Sequence, residues 1–169
     1  MVGECNIVSR VAMDITNLRI LKRLKENSRE SLGNIAKELG ISKATVSRRV
    51  SRMEKEGYIS DYSLVIDPSR LGLMKAMVSL QVMGTAVNSV IEELKKFPQI
   101  ESVTRVFGDH SLVCHIYATS VDSLYELIQG QLLKIPNIHN VEVDIVIDSV
   151  DINRNAELDL AKPKLLDNL

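Results

Sequence analysis

A chain of 169 residues with 45% apolar side chains carries enough hydrophobic material for one large or two small cores, and its net charge of −1 excludes a polycation. Only six aromatic residues are present, four Tyr and two Phe, which argues against a single-strand nucleic-acid binder that stacks bases on an aromatic platform. No apolar run approaches the ~18 residues of a membrane span, and the N-terminus lacks the basic region and apolar core of a signal peptide; the expected compartment is the cytoplasm, with no membrane partner. The two cysteines, Cys5 and Cys114, fit a reducing compartment and no disulfide is expected. The charge is unevenly placed: residues 1–67 carry 12 basic and 9 acidic side chains, residues 68–169 carry 9 and 13. A basic first third and an acidic remainder suggest different partners for the two parts.

Residues 1–12 show no sustained period and read as an N-terminal extension. Asp14 is placed to cap a first helix in which Leu18, Leu21 and Leu24 share a face widened by Ile20. Leu32, Ile35, Ala36 and Leu39 then recur at i, i+3, i+4 and i+7, and Val46, Val50 and Met53 repeat at helical spacing after a break at Gly40-Ile41-Ser42. Gly40 can take positive φ to end one helix, and Ser42 can accept backbone N–H bonds to begin the next. Helices at 31–39 and 43–56, joined so tightly, predict a helix-turn-helix.

The second of these helices leaves Lys43, Thr45, Ser47, Arg48, Ser51 and Arg52 outside, with Arg49 at the flank and no acidic residue from 39 to 53. A uniformly basic, hydroxyl-bearing face suits phosphates and base edges of double-stranded DNA. Gly57 ends the helix, and 58–67 alternates enough to predict a connecting strand or ribbon. Asp67-Pro68-Ser69-Arg70-Leu71-Gly72 reads as a linker.

From Leu73 the pattern becomes strand–helix–strand, twice. Met74, Ala76, Val78, Leu80 and Val82 alternate with Lys75, Met77, Ser79 and Gln81; Val87, Val90, Ile91, Leu94 and Phe97 form a helix stripe; strands follow at about 100–107 and 112–118. Leu124, Leu127, Ile128, Leu132 and Ile135 make a second helix stripe, and Val141, Val143, Ile145 and Ile147 a last strand. Lys96-Phe97-Pro98-Gln99-Ile100-x-x-Val103 recurs 38 residues later as Lys134-Ile135-Pro136-Asn137-Ile138-x-x-Val141, each copy a proline-enforced exit from helix to strand. Two right-handed crossovers of this kind predict a ferredoxin-like βαββαβ sandwich. The opposite sheet face carries Lys75, Met77, Ser79, Gln81, His115, Tyr117, Glu142 and Asp144, which suits self-association.

Catalytic and metal chemistry find little support. Adjacent Cys114 and His115 on a strand point to opposite faces, no Cys-x-x-Cys or helical His pair exists, and neither a phosphate-binding glycine loop nor a nucleophile elbow is present. No catalytic residue, metal or cofactor is expected. The third strand of the βαββαβ unit, Leu-Val-Cys-His-Ile-Tyr-Ala, lacks the aromatic and basic residues of an RNA-recognition module.

Taken in order, Met13-Asp14-x-x-Asn17-x-x-Ile20-Leu21-x-x-Leu24, the run Ser42-Lys43-Ala44-Thr45-Val46-Ser47-Arg48-Arg49-Val50-x-Arg52-Met53-Glu54, Gly57-Tyr58-Ile59, Asp67-Pro68-x-x-Leu71-Gly72 and the Gly108-Asp109 turn resemble the leucine-responsive/asparagine-operon (Lrp/AsnC, feast/famine) transcriptional regulators over roughly residues 13–148. The resemblance implies an α+β protein: an N-terminal winged-type helix-turn-helix domain over 13–67 and a C-terminal ferredoxin-like effector-binding and oligomerisation domain over 68–148. The C-terminal tail at 149–169 lies beyond it and is expected either to form a short terminal helix or to fray. The resemblance further implies homodimers that build higher oligomers, a semi-palindromic double-stranded operator and an amino-acid effector held between dimers. Ser42, Lys43, Thr45, Ser47, Arg48, Arg49 and Arg52 are the expected DNA-binding residues: Thr45, Ser47 and Arg48 at base edges, Lys43, Arg49 and Arg52 on phosphates, Ser42 as the cap. Gly108, Asp109, His110 and Ser111 are the expected effector turn. Here Ser111 stands where the family pattern Gly-x-x-Asp has a carboxylate, and Asn17 where an aspartate is usual. The alternatives are a tetrapyrrole-processing (haem biosynthesis) enzyme on the same fold and an effector-independent architectural DNA-binding protein.

Overall fold

The computed structural model describes residues 13–161; the expected extension at 1–12 and the end of the expected tail, 162–169, lie outside the described residues. The chain forms two compact units. One runs to Leu64 and takes the chain in again from Asp151; the other is Val65–Val150.

The first unit is built on three helices, α1 (Ile15–Glu26), α2 (Leu32–Leu39) and α3 (Lys43–Lys55). Each begins on a side-chain cap: Asp14 accepts from the Asn17 N–H, Ser31 from Asn34 and Ser42 from Thr45, satisfying donors a helix start leaves orphaned. Gly40 closes α2 in the left-handed region at φ 66°, its N–H reaching the Ala36 and Lys37 carbonyls. The Ile41 N–H returns to the Ala36 carbonyl at 3.0 Å, so the corner is tied back to α2 before Ser42 starts α3. The apolar stripes meet in one cluster of Ile20, Leu24, Ile35, Ala36, Val46, Val50 and Met53.

The second unit is a four-stranded antiparallel sheet of β1 (Met74–Val82), β2 (Ile100–Arg105), β3 (Leu112–Ala118) and β4 (Ile138–Val146), in the order β2-β3-β1-β4. The crossover helices α4 (Val87–Leu94) and α5 (Val121–Gly130) pack against one face. Period-2 alternation sends Ala76, Val78, Leu80, Leu112, Cys114 and Ile116 into the core with Val90, Leu94, Leu124, Leu127 and Ile128, giving the ferredoxin-like arrangement. Cys114 is buried and its thiol is pushed up to about 11 by desolvation, which fits a packing role.

The structure refines three expectations. Residues 58–67 form no strand: the segment is a ribbon that pairs with no ladder among the described residues. Its polar atoms turn elsewhere, Tyr62 Oη donating to Glu54 at 2.9 Å and the Ser69 N–H to Asp67 at 3.0 Å, while Leu64 and Val65 stay exposed. The second helix stripe is interrupted: α5 stops at Gly130, a 3-10 turn, Leu132–Lys134, carries Leu132 into the core, and Ile135 is buried just after it. The segment expected as a tail contains a short helix, α6 (Ala156–Leu160), which belongs with the first unit: Asp159 and Glu157 pair with Lys22 and Lys25 of α1, and the Asn155 amide donates to Glu26.

Because the two cores share no residue, a core deletion is expected to act on one unit. Ile20→Ala, at a side chain with no exposure, should destabilise the helical unit by roughly 2–4 kcal/mol. Amide exchange by mass spectrometry should then show faster exchange in α1–α3 with β1 and β3 unchanged; equal acceleration in both would mean the units unfold together.

Candidate nucleic-acid interface

The face that α3 turns away from its core is set by Val46, Val50 and Met53, which are buried and fix its rotation to first order. Lys43, Ser47, Arg48, Ser51 and Arg52 are exposed; Thr45 and Arg49 are half-buried. The first turn is closed by Ser42, whose Oγ accepts from the Thr45 N–H at 3.1 Å and lies 2.9 Å from the Thr45 hydroxyl. Thr45 is therefore engaged with the cap, and Ser47 and Arg48 are the side chains that stand clear of the helix start.

The basic residues of α3 are not equivalent. Lys43 and Arg48 make no ion pair among the described residues. Arg52 Nε donates to Glu56 at 2.7 Å, one turn on. Arg49 Nη1 donates to Asp14 Oδ2 at 2.5 Å and to Asn17 Oδ1 at 2.9 Å. Asp14 thus caps α1 with one oxygen and receives Arg49 with the other. Burial opposes ionisation of this carboxyl, but the Asn17 N–H and the Arg49 guanidinium outweigh it and hold the group below the usual carboxylate range. Asp14, Asn17, Arg48, Arg49, Arg52, Met53 and Glu56 line a polar cleft of about 250 Å³ beside α3. The acidic members come from outside positions 39–53, so the sequence window that reads as purely basic is flanked in space by two carboxylates.

The second expected site, the turn between β2 and β3, is brought together as a loop but its members diverge. Ser111 is tied to β1: its N–H donates to the Leu80 carbonyl at 2.9 Å, and its Oγ accepts from the Val82 N–H at 3.2 Å. His110 Nε2 lies 3.1 Å from Glu142 Oε2. Gly108 holds a positive φ of 157°. Phe107, just before the turn, is fully exposed, and nothing in its alternating strand pattern announces it as a surface residue. On the same sheet, Lys75 donates to Glu101 at 2.8 Å and Tyr117 Oη donates to Glu101 at 2.9 Å. The hydrogen bond from Lys75 holds Glu101 below, and that to Glu101 holds Lys75 above, their ordinary ranges.

Residues 13–60 match a winged helix-turn-helix DNA-binding model, and residues 75–156 match the Lrp/AsnC ligand binding domain. The transcriptional regulator LrpA of Pyrococcus abyssi is 30% identical over 132 residues, covering 76% of this chain and 92% of that protein. This chain belongs to the Lrp/AsnC family of helix-turn-helix transcriptional regulators. The regulator Ptr1 of Methanocaldococcus jannaschii is 29% identical over 136 residues, covering 80% of this chain and 92% of the relative. Among solved structures, E. coli AsnC has the same fold, with a TM-score of 0.76 at 21% identity over 85% of this chain and 97% of that one. The feast or famine regulatory protein of M. tuberculosis, complexed with L-methionine, gives a TM-score of 0.76 at 25% identity, again over 85% and 97%.

Within this family frame, the structure settles which oxygen Ser111 presents: one already bonded to β1. Ser111→Asp should set a carboxylate against the Val82 carbonyl, 3.4 Å from the present hydroxyl oxygen, and cost about 1–3 kcal/mol. Thermal unfolding should show the loss; an unchanged midpoint together with new amino-acid binding would show that the turn refolds around the carboxylate.

Proposed function

We propose that this regulator reads a semi-palindromic double-stranded operator as a homodimer or higher oligomer in the cytoplasm, and that the turn at Gly108–Ser111 is its effector-sensing element. The observation that carries the DNA reading is the pairing pattern on α3. Ser47 and Arg48 stand outward with no competing partner, at the N-terminal half of a helix whose opposite side is anchored in a core. Arg48 can present its fork to the O6 and N7 of a guanine, and Lys43 can neutralise a phosphate at the helix start, where the dipole also favours negative charge. The guanidinium of Arg52, shared with Glu56, remains exposed enough to exchange that carboxylate for a phosphate.

The oligomer reading rests on apolar surface that a single copy leaves open. Met77 on the sheet face opposite the helices, and Leu64, Val65 and Ile66 on the unpaired ribbon, are exposed. Burial of such surface against a second copy is the ordinary remedy. For the effector, a structural relative is complexed with L-methionine. In this chain the turn offers Asp109 as its unbonded carboxylate and Phe107 as an apolar neighbour, so the ligand expected is a small molecule with a cationic and an apolar part. Ordinary zwitterionic amino acids should bind weakly, because Ser111 contributes neither charge nor a free hydroxyl.

Arg48→Ala should weaken binding to the selected operator by roughly 1–3 kcal/mol and relax the preference at one base position per half-site. Lys43→Ala should weaken selected and random duplexes alike and flatten the log–log salt dependence by about one unit. Equal loss on both kinds of duplex for Arg48→Ala would remove it from base readout. Met77→Glu would set like charges across a two-fold axis on the sheet face and should shift the protein to monomer in sedimentation; an unchanged oligomer would place the interface elsewhere.

A further inference from the structure

Arg49 sits among the basic residues of α3 yet differs from all of them in what it touches. Both hydrogens of its Nη1 have acceptors, Asp14 Oδ2 and Asn17 Oδ1, and both acceptors lie in the first turn of α1. The Arg49 side chain is 31% exposed against 56% for Arg52. Its partner is itself fixed: Asp14 Oδ1 accepts the Asn17 N–H at 2.7 Å, so the carboxylate cannot swing away without uncapping α1. Glu56, by contrast, is on the same helical end as Arg52 and binds α3 only to its own continuation.

The other anchors of α3 are Val46, Val50 and Met53, all apolar. Apolar contact is non-directional, and it tolerates a rotation or slide of a few tenths of an ångström at little cost. A charge-assisted hydrogen bond is directional, and two converging on one nitrogen define an angle as well as a distance. Arg48, the adjacent residue, must reach a base edge within about half an ångström to keep a bidentate contact.

From this geometry we infer that Arg49 is a positioning residue: with Asp14 and Asn17 it brackets the recognition helix to the start of α1 and sets the angle from which Arg48 and Ser47 meet the bases, instead of holding a phosphate. The inference rests on the reading of α3 as the recognition helix. Its consequence is a division of labour, in which adjacent arginines on one helix serve sequence readout and helix orientation. Asn17 supplies an acceptor without charge, so the bracket carries a single carboxylate.

The test uses the full-length protein and two probes, the tightest-binding duplex recovered from a random-sequence pool by the unaltered protein and a mixed-sequence duplex of equal length. Arg49→Ala should lower affinity for the selected duplex about tenfold or more and lower mixed-sequence affinity several-fold less, with the log–log salt slope unchanged; Lys43→Ala, measured in parallel, calibrates the loss of one phosphate contact at about one unit. Asn17→Asp should act in the opposite direction, raising the ratio of selected to mixed affinity, and it keeps the test open if Arg49→Ala proves poorly helical at the assay temperature. Flattening of the salt slope by about one unit, with equal losses on both duplexes, would make Arg49 a phosphate contact and overturn the inference. So would a selectivity ratio that neither variant moves. If the unaltered protein enriches no sequence from the pool, the recognition-helix reading itself fails, and the inference falls with it.

Discussion

The helical unit depends on one short corner. Between the last turn of α2 and the first of α3 lie only Gly40, Ile41 and Ser42; the Gly40 and Ile41 N–H groups return to carbonyls of α2, and the Ser42 hydroxyl accepts from the first turn of α3. Gly40 takes a left-handed conformation that an L side chain adopts only at a cost of about 1 kcal/mol or more. A longer loop would leave orphaned helix ends and let the second helix tilt. With the corner closed, the steep crossing follows, Val46 falls over Ile35 and Ala36 in the same core, and the other side of α3 has nowhere to go but solvent. The same economy governs the sheet unit, where Ser111 joins the start of β3 to the end of β1 through main-chain and side-chain bonds. Rigid corners are what let a small chain present side chains at fixed positions.

Much of this was legible in one sequence because the signals are local. Helix stripes repeat within seven residues, and caps sit at their first position, so Asp14, Ser42, Gly40 and Gly57 could each be assigned from their neighbours alone. The strand alternation of β1 and β3 survived intact because both are central strands with one face in the core and one out. Over 58–67 alternation leaves strand and ribbon open because it reports a preference for extended backbone, while a strand also needs a partner edge, and none is offered among the described residues. The break in the second helix stripe at Gly130 was hidden because Leu132 and Ile135 continue the apolar spacing through a 3-10 turn. For 149–169 the sequence leaves a short terminal helix and fraying open, because α6 is only five residues long and what holds it is ion pairing with α1 more than 130 residues earlier, which no window can register.

The site was legible in kind but not in assignment. Sequence placed seven residues on one helix as a DNA-facing set and could rank them only by helical angle. What separates them in the structure is their partners: Glu56 one turn away for Arg52, Asp14 from 35 positions earlier for Arg49, the cap for Thr45 and, among the described residues, none for Lys43 and Arg48. The effector turn shows the same limit in reverse. In the sequence Ser111 reads as a missing carboxylate, a question about charge, whereas in the fold its hydroxyl is a structural bond to β1 and the exposed groups beside it are Asp109 and Phe107.

A chain of net charge −1 can address a polyanion only if its basic groups are sorted in this way. Long-range attraction is weak when total charge is near zero and falls off within about 8 Å at physiological ionic strength, so the encounter with DNA depends on which cations are locally uncompensated. Asp14 and Glu56 lower the local field around Arg49 and Arg52 while leaving Lys43 and Arg48 unscreened at the start of α3, where the helix dipole adds to them. The carboxylates therefore do more than stabilise the fold. They leave the uncompensated cations, Lys43 and Arg48, at the N-terminal half of α3, and a protein with little indiscriminate attraction for phosphate is one in which a single well-aimed guanidinium can dominate the choice of sequence.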